Sequence, residues 1–169
     1  MTVLIDDAGS GDILWGVVIG AYRPESDSFV YDLIDVSFFK NELFKERKYL
    51  SEAAKISIIL VERLKILENE KIHICQGDVL NEAAKALTEK YGEARIERVK
   101  IEGRAQELVE LAYTDELRNL GYEVRSDRTD KWGKNFWHMY EWVKDDTSRI
   151  RWVKTGFPNL KRYKLFQNL

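Results

Sequence analysis

Apolar positions near the start of the sequence recur with the period of strands, and further on with the period of helices. Val3, Leu4 and Ile5 precede two aspartates in residues 2–7, which predict a short strand. Residues 14–23 are almost continuously apolar, the pattern of a strand buried on both faces and central in a sheet. Pro24, Glu25, Ser26, Asp27 and Ser28 predict a turn, and residues 29–36 a third strand that returns antiparallel. Over residues 49–68 the spacing changes to Ala53, Ile56, Leu60, Leu64 and Leu67, which predicts a long amphipathic helix with Ser51 as its cap. A short strand at 71–76 stops at Gly77 and Asp78, and Asn81 caps a second helix that ends at Tyr91 before Gly92. Residues 95–102 alternate through Val99 and Ile101 as a fifth strand, and 104–120 make a third helix closed by Gly121.

The predicted order is three strands, helix, strand, helix, strand, helix. A three-stranded meander followed by βα alternation implies an α/β fold with a mixed five-stranded sheet, its later strands joined by right-handed crossovers and helices covering its faces. No internal repeat or low-complexity segment interrupts this order. The polar stretch 125–130 is the expected boundary between a domain of residues 1–125 and a C-terminal extension, residues 126–169, packed on it.

Composition narrows the setting. A length of 169 residues suffices for one substantial core. No apolar run approaches the roughly 18 residues that span a bilayer, so membrane insertion is not expected. The short apolar start, followed at once by Asp6 and Asp7, does not read as a signal peptide, and a cytoplasmic location is expected. Cys75, the single cysteine, can form neither an intramolecular disulfide nor a cysteine-based metal site, and is expected to pack as a small apolar side chain. Abundant Lys and Glu beside only three glutamines and two methionines is the usage of heat-adapted proteins. The net charge of −2 conceals an asymmetry: residues 131–169 hold nine Lys or Arg against three acids, which leaves about −8 on the first 130.

The candidate chemistry begins at LIDDAGSGDILWGVVIGAY, residues 4–22. A strand that fixes the backbone, two adjacent carboxylates and a small glycine-rich turn are the means by which a sheet offers ligands to a divalent metal, and Gly9 and Gly11 leave room for another backbone to approach. The same run also reads as a hydrogen-bonded hairpin loop. His73 and His138 read as structural residues, and no nucleotide-binding glycine loop, zinc-ligand spacing or serine nucleophile elbow is present.

This run resembles the opening motif of type-2 ribonucleases H, in which an Asp-Glu pair is followed by Ala-Gly-Arg-Gly and then by Gly-Pro-Val at the second strand. Asp6 and Asp7 stand where the family has its Asp and Glu; Ala8, Gly9, Gly11, Gly16 and Val18 match directly; Val17 replaces the proline and Ser10 the arginine. The resemblance implies a ribonuclease H-like fold and a metal site. Asp78, on the loop after the fourth strand, resembles the family's third carboxylate, though it also reads as a turn or capping aspartate. Glu102 is the best positional candidate for the fourth, with Glu107, Asp115 and Glu116 as further candidates and Glu52 and Glu62 of the long helix as ambiguous ones.

The implied set is Asp6, Asp7, Asp78 and Glu102 as catalytic and metal-holding residues, with Gly9, Ser10 and Gly11 as the turn against the substrate. Carboxylates so crowded repel one another and take up protons unless a multivalent cation neutralises them, so Mg²⁺ or Mn²⁺ is the expected cofactor. Two such ions roughly 4 Å apart activate a water, hold the scissile phosphate and stabilise the leaving oxygen. In the family the Gly-Arg-Gly turn reads the sugar at an RNA–DNA junction; with Ser10 in that place the turn supports metal binding better than it supports a particular substrate.

The C-terminal third interleaves Trp132, Phe136, Trp137, Tyr140, Trp142, Trp152, Phe157, Tyr163 and Phe166 with Lys131, Lys134, Lys144, Arg149, Arg151, Lys154, Lys161, Arg162 and Lys164. Cations for phosphates and rings for bases are the materials of a nucleic-acid surface, and the same rings also read as the apolar side of a helix packed on the sheet. The expected function is metal-dependent phosphodiester hydrolysis of nucleic acid, with an RNA–DNA hybrid or structured nucleic acid as partner. Its rivals are a non-catalytic ribonuclease H-like binding or assembly protein, and a dimeric structure-selective nuclease or resolvase.

Overall fold

A computed structural model describes residues 1–125 and 134–169. Its five strands are β1 (Thr2–Ala8), β2 (Val17–Arg23), β3 (Ser28–Ile34), β4 (Lys71–Cys75) and β5 (Ile96–Val99). Five helices accompany them: α1 (Asn41–Lys45), α2 (Lys48–Arg63), α3 (Asn81–Tyr91), α4 (Arg104–Asn119) and α5 (Lys134–Asp145). The strands lie in the order β3-β2-β1-β4-β5. β1–β2 and β2–β3 pair antiparallel, whereas β1–β4 and β4–β5 pair parallel. This is the mixed α/β sheet of the expected ribonuclease H-like layout.

The two faces of the sheet carry different cores. Val3, Ile5, Val17, Ile19, Ile72 and Ile74 pack with Ala53, Ile56 and Leu60 of α2 and Ala83 and Leu87 of α3. On the opposite face Ala8 and Val18 meet Val109, Ala112, Tyr113 and Leu117 of α4, together with Val143, Val153, Leu160 and Phe166 from the C-terminal part. The C-terminal residues thus share the core of α4. Strand alternation therefore puts Leu4, Asp6 and Ala8 on the α4 side and Val3, Ile5 and Asp7 on the other. β2, buried from Val17 to Tyr22, is central as its apolar run predicts.

Several boundaries differ from the sequence reading, each for a local reason. β2 starts at Val17 rather than at residue 14, because Gly16 presses against β3: a Cβ there would lie 1.7 Å from the Ile34 carbonyl oxygen. Trp15 sits just before it at φ 60°, and residues 13–15 pair instead with the C-terminal segment through a Leu14–Val153 bridge. α2 starts at Lys48 after Arg47 at φ 54°, and Ser51 is no cap, since its hydroxyl bonds the Lys48 carbonyl inside the helix. Lys65 at φ 52° follows the end of α2 near residue 63, leaving Leu67 exposed. Asn81 is the first residue of α3 rather than its cap, and its Oδ1 accepts from Arg98 Nη1 at 3.1 Å. The short α1 was not anticipated, and β5 spans four residues rather than eight. The expected boundary falls on residues 125–130, of which 126–130 lie outside the described residues. Among the described residues no helix is long and apolar enough to cross a membrane.

Candidate metal centre

Asp6 and Asp7 are the last polar residues of β1, beside the carboxyl end of its parallel neighbour β4. Asp6 is buried and accepts from the Asp7 amide at 2.9 Å. Adjacent strand residues project to opposite faces, yet the ligand atoms of Asp6, Asp7 and Cys75 lie within 4.8 Å of one another. Cys75 ends β4, so this group sits where two parallel strands deliver their chains to loops. Cys75 packs against the apolar clusters on both sides, as expected, and its thiol also hydrogen-bonds Asp6.

The turn after β1 is shaped from both sides. The Asp12 amide donates to the Gly9 carbonyl at 3.2 Å. Gly9 has φ +90°, and a Cβ on it would stand 2.4 Å from the ring of Tyr113, a buried residue of α4 whose hydroxyl donates to the Leu14 carbonyl at 3.0 Å. Packing against α4 is thus sufficient reason for Gly9, while Gly11 faces open space. Ser10, in the position of the family's arginine, hydrogen-bonds the Asp7 carboxylate. Lys154, fully buried, reaches in from the C-terminal segment and donates to the carbonyls of Gly9 and of Asp12, the latter at 2.8 Å.

Burial dominates the electrostatics. It pushes the Asp6 carboxyl from 3.8 up to about 6; hydrogen bonds from Cys75 and the Asp7 amide pull the other way, and the charges of Asp7 and Glu110 add to the rise. Asp7 is raised as well, chiefly by burial, with Ser10 and the Lys154 ammonium opposing. Burial also raises the Cys75 thiol, aided by its contact with Asp6, so at neutral pH it remains a protonated donor rather than a soft thiolate ligand.

Of the other expected ligands, Asp78 opens a 3-10 turn (Asp78–Leu80) that packs against β1, but its side chain is exposed and does not join the group. Arg98 holds that loop, donating to the carbonyl of Gly77 at 3.1 Å. Glu102 does not join either: it lies on the loop before α4, exposed and 2.5 Å from Lys100. The remaining candidates are engaged elsewhere. Glu107 pairs with Arg104 and Asp115 with Arg118; Glu116 accepts from Trp15 Nε1 and the Tyr31 hydroxyl, both at 3.3 Å; Glu52 pairs with Lys55 and Glu62 with Lys90. The α4 carboxylate that acts on Asp6 is Glu110, which the sequence reading missed. Its signal was available: Glu110 follows Val109, the residue that packs on Gly20 of β2, so it borders the face turned to the sheet.

The donor set suits a hard divalent ion. Mg²⁺ and Mn²⁺ take oxygen ligands, and Mg²⁺ keeps several waters, so one or two carboxylates suffice. Asp6 and Asp7 would hold the ion, while the charge of Glu110, an exposed α4 residue that accepts from Gln106 Nε2 at 3.2 Å, acts on Asp6.

The aromatic C-terminal residues mostly engage one another. Trp142 stacks on Trp152 with centroids 6.0 Å apart, and the Arg149 and Arg151 guanidiniums cover these rings at 4.2 and 4.4 Å. Phe136, Tyr140 and Tyr163 cluster, Phe166 is buried, and Trp137 remains 51% exposed. Lys131 and Trp132 lie outside the described residues. His138 contacts the Tyr122 hydroxyl, and His73 is 3.4 Å from Glu97.

Fold and site together define an α/β protein with a ribonuclease H-like sheet and an acidic group at the carboxyl ends of its two central parallel strands. No protein-family model matches the chain, and no curated protein matches it.

Proposed function

We propose that this protein is a metal-dependent phosphodiesterase acting on nucleic acid, with an RNA–DNA hybrid as the first substrate to test. The observation that carries the reading is the convergence of Asp6 and Asp7 at the end of β1, two carboxylates held against their preference for water. A bound divalent ion would supply charge neutralisation, a water of lowered pKa and a contact for the scissile phosphate. Asp6 and Asp7 hold it from β1, Glu110 completes the negative field from α4, and Asp78 stands at the rim on the turn beside β1. The Ser10 hydroxyl keeps Asp7 oriented, and the Cys75 thiol does the same for Asp6. No side-chain general base is required.

Mn²⁺ should raise the thermal midpoint of the wild type and not that of Asp6→Asn. At a hundredfold excess over Kd the gain is about 2.7 kcal/mol, or roughly 5–10 °C for a chain of this size. An equal shift in both proteins would remove Asp6 from the site. Cleavage of labelled RNA–DNA hybrid, DNA junction and single-stranded RNA, each compared with Asp6→Asn, then identifies the substrate and separates hybrid cleavage from resolvase action.

A specific observation also favours a second reading, a non-catalytic nucleic-acid-binding member of the fold: only two of the four expected carboxylates gather, Asp78 and Glu102 being exposed. Metal-linked stabilisation without cleavage of any of the three substrates selects it.

A further inference from the structure

Lys154 is one of the cations of the expected nucleic-acid surface, yet its side chain is wholly buried and unavailable to phosphate. Its backbone amide donates to the Ile13 carbonyl at 2.8 Å, beside the Leu14–Val153 bridge, so the C-terminal segment is threaded alongside the β1–β2 connection. From there the ammonium enters the turn and is held by the Gly9 and Asp12 carbonyls. The rings of Phe39 and Phe157 lie 5.1 and 5.8 Å from it. Burying an ammonium is unfavourable unless carbonyls and ring faces replace its water. The carbonyls of the turn that follows Asp7, with these two rings, supply that replacement. We infer that Lys154 is the positioning residue of the candidate site: the turn after β1 folds round a cation supplied by the chain's own C-terminal segment, and this fixes Ser10 and Asp7.

The turn half of the inference stands by itself; its consequence for metal rests on the function proposed above. The sign of the metal effect separates positioning from simple charge. Removing a cation beside Asp7 would by Coulomb's law alone tighten binding of Mn²⁺, whereas loosening the turn weakens it.

The experiment uses the full chain with Lys154→Met and, as a control, Val153→Ala, which trims the same segment without touching the ammonium. Without metal, amide exchange at Asp12, whose N–H donates to Gly9, should quicken at least tenfold in Lys154→Met while β4 and β5 keep their protection. Unchanged Asp12 exchange, or an equal effect of Val153→Ala, overturns the inference. In the wild type the Lys154 ammonium should give a slowly exchanging Hζ–Nζ resonance; exchange as fast as that of exposed lysines overturns it even if the variant does not fold. Mn²⁺ titration followed by the electron paramagnetic resonance of the free ion should show at least tenfold weaker binding in folded Lys154→Met. Equal or tighter binding refutes a positioning role. A wild type that binds no Mn²⁺ refutes the proposed function, and Asp12 exchange and the ammonium resonance still decide for or against Lys154.

Discussion

Asp6 makes the metal-free protein pay for its site in a measurable way. Its carboxyl rises from 3.8 to about 6 on folding, chiefly through burial, and the residue is only 6% exposed, so solvent screening does little to reduce the effect. Between these two values the folded state retains a proton that the unfolded state has released. Stability is therefore greatest at low pH, as far as this group is concerned, and falls as pH rises through the window from about 4 to 6. A rise of this size corresponds to about 3 kcal/mol. Asp6→Asn removes the titration while keeping an oxygen that can accept from the Asp7 amide and the Cys75 thiol. Urea unfolding without divalent ions, measured from pH 4 to 7.5, isolates the effect as wild-type stability minus that of Asp6→Asn. This difference should fall by about 2 kcal/mol across the range, since pH 4 already lies just above the unfolded value, leaving the variant the more stable protein at pH 7.5. Subtraction cancels remote titrating groups such as the exposed Asp146 and Glu25, which are lowered, whereas Asp7, coupled by charge to Asp6 and also raised, adds to the difference in the same direction. A flat or rising difference would refute the claim that burial holds this carboxyl protonated. Mn²⁺ at pH 7.5 should restore the wild type and leave Asp6→Asn unchanged.

Other perturbations test the parts around it. Gly9→Ala combines a left-handed backbone, about 1–2 kcal/mol, with overpacking against Tyr113, about 1–3 kcal/mol, and should lower the urea midpoint accordingly. Glu110→Gln alters an exposed side chain and should leave stability within about 0.5 kcal/mol while weakening Mn²⁺ binding severalfold by calorimetry. Glu70, fully buried, holds Arg23 at 2.8 Å and the Leu67 amide at 2.6 Å; Glu70→Ala strands the guanidinium and should cost about 3–5 kcal/mol in urea, with no change in metal affinity.

The fold was legible because strand and helix periods in this chain are clean and glycines or turn residues separate them. β1 to β3, β4 and α3 fall within a few residues of their predicted places. What escaped was set by tertiary contact rather than by local pattern. Residues 14–16 have the apolar character of a strand, but Gly16 against Ile34 and the bridge to Val153 take them out of the sheet. The site was half legible. The neighbouring aspartates announce themselves, whereas Glu110 is one of four acids on α4 (Glu107, Glu110, Asp115 and Glu116), and which of them acts on β1 depends on how α4 lies across the sheet. Lys154 was invisible for the same reason: sequence separation of about 145 residues from Gly9 gives no hint of a shared turn.

Placing two consecutive strand residues at one site is a geometric problem, since alternation sends Asp6 toward α4 and Asp7 toward α2 and α3. The carboxylates can meet only where the strand ends and Asp7 can lean over the exit of β4. Gly77 occupies that exit, and a Cβ on it would lie 3.0 Å from Asp7 Oδ1. Asp7 is thus confined by Gly77 on one side, by the Ser10 hydroxyl on another, and by a turn anchored on Lys154 behind. Asp6 needs no such device, because β1 itself directs it to Cys75 and the Glu110 side of the sheet. The acidic pair is therefore the product of three distant segments, the β1–β2 turn, the β4 exit and the C-terminal strand-like residues 153–154, and loss of any one should separate the two carboxylates before it unfolds the sheet.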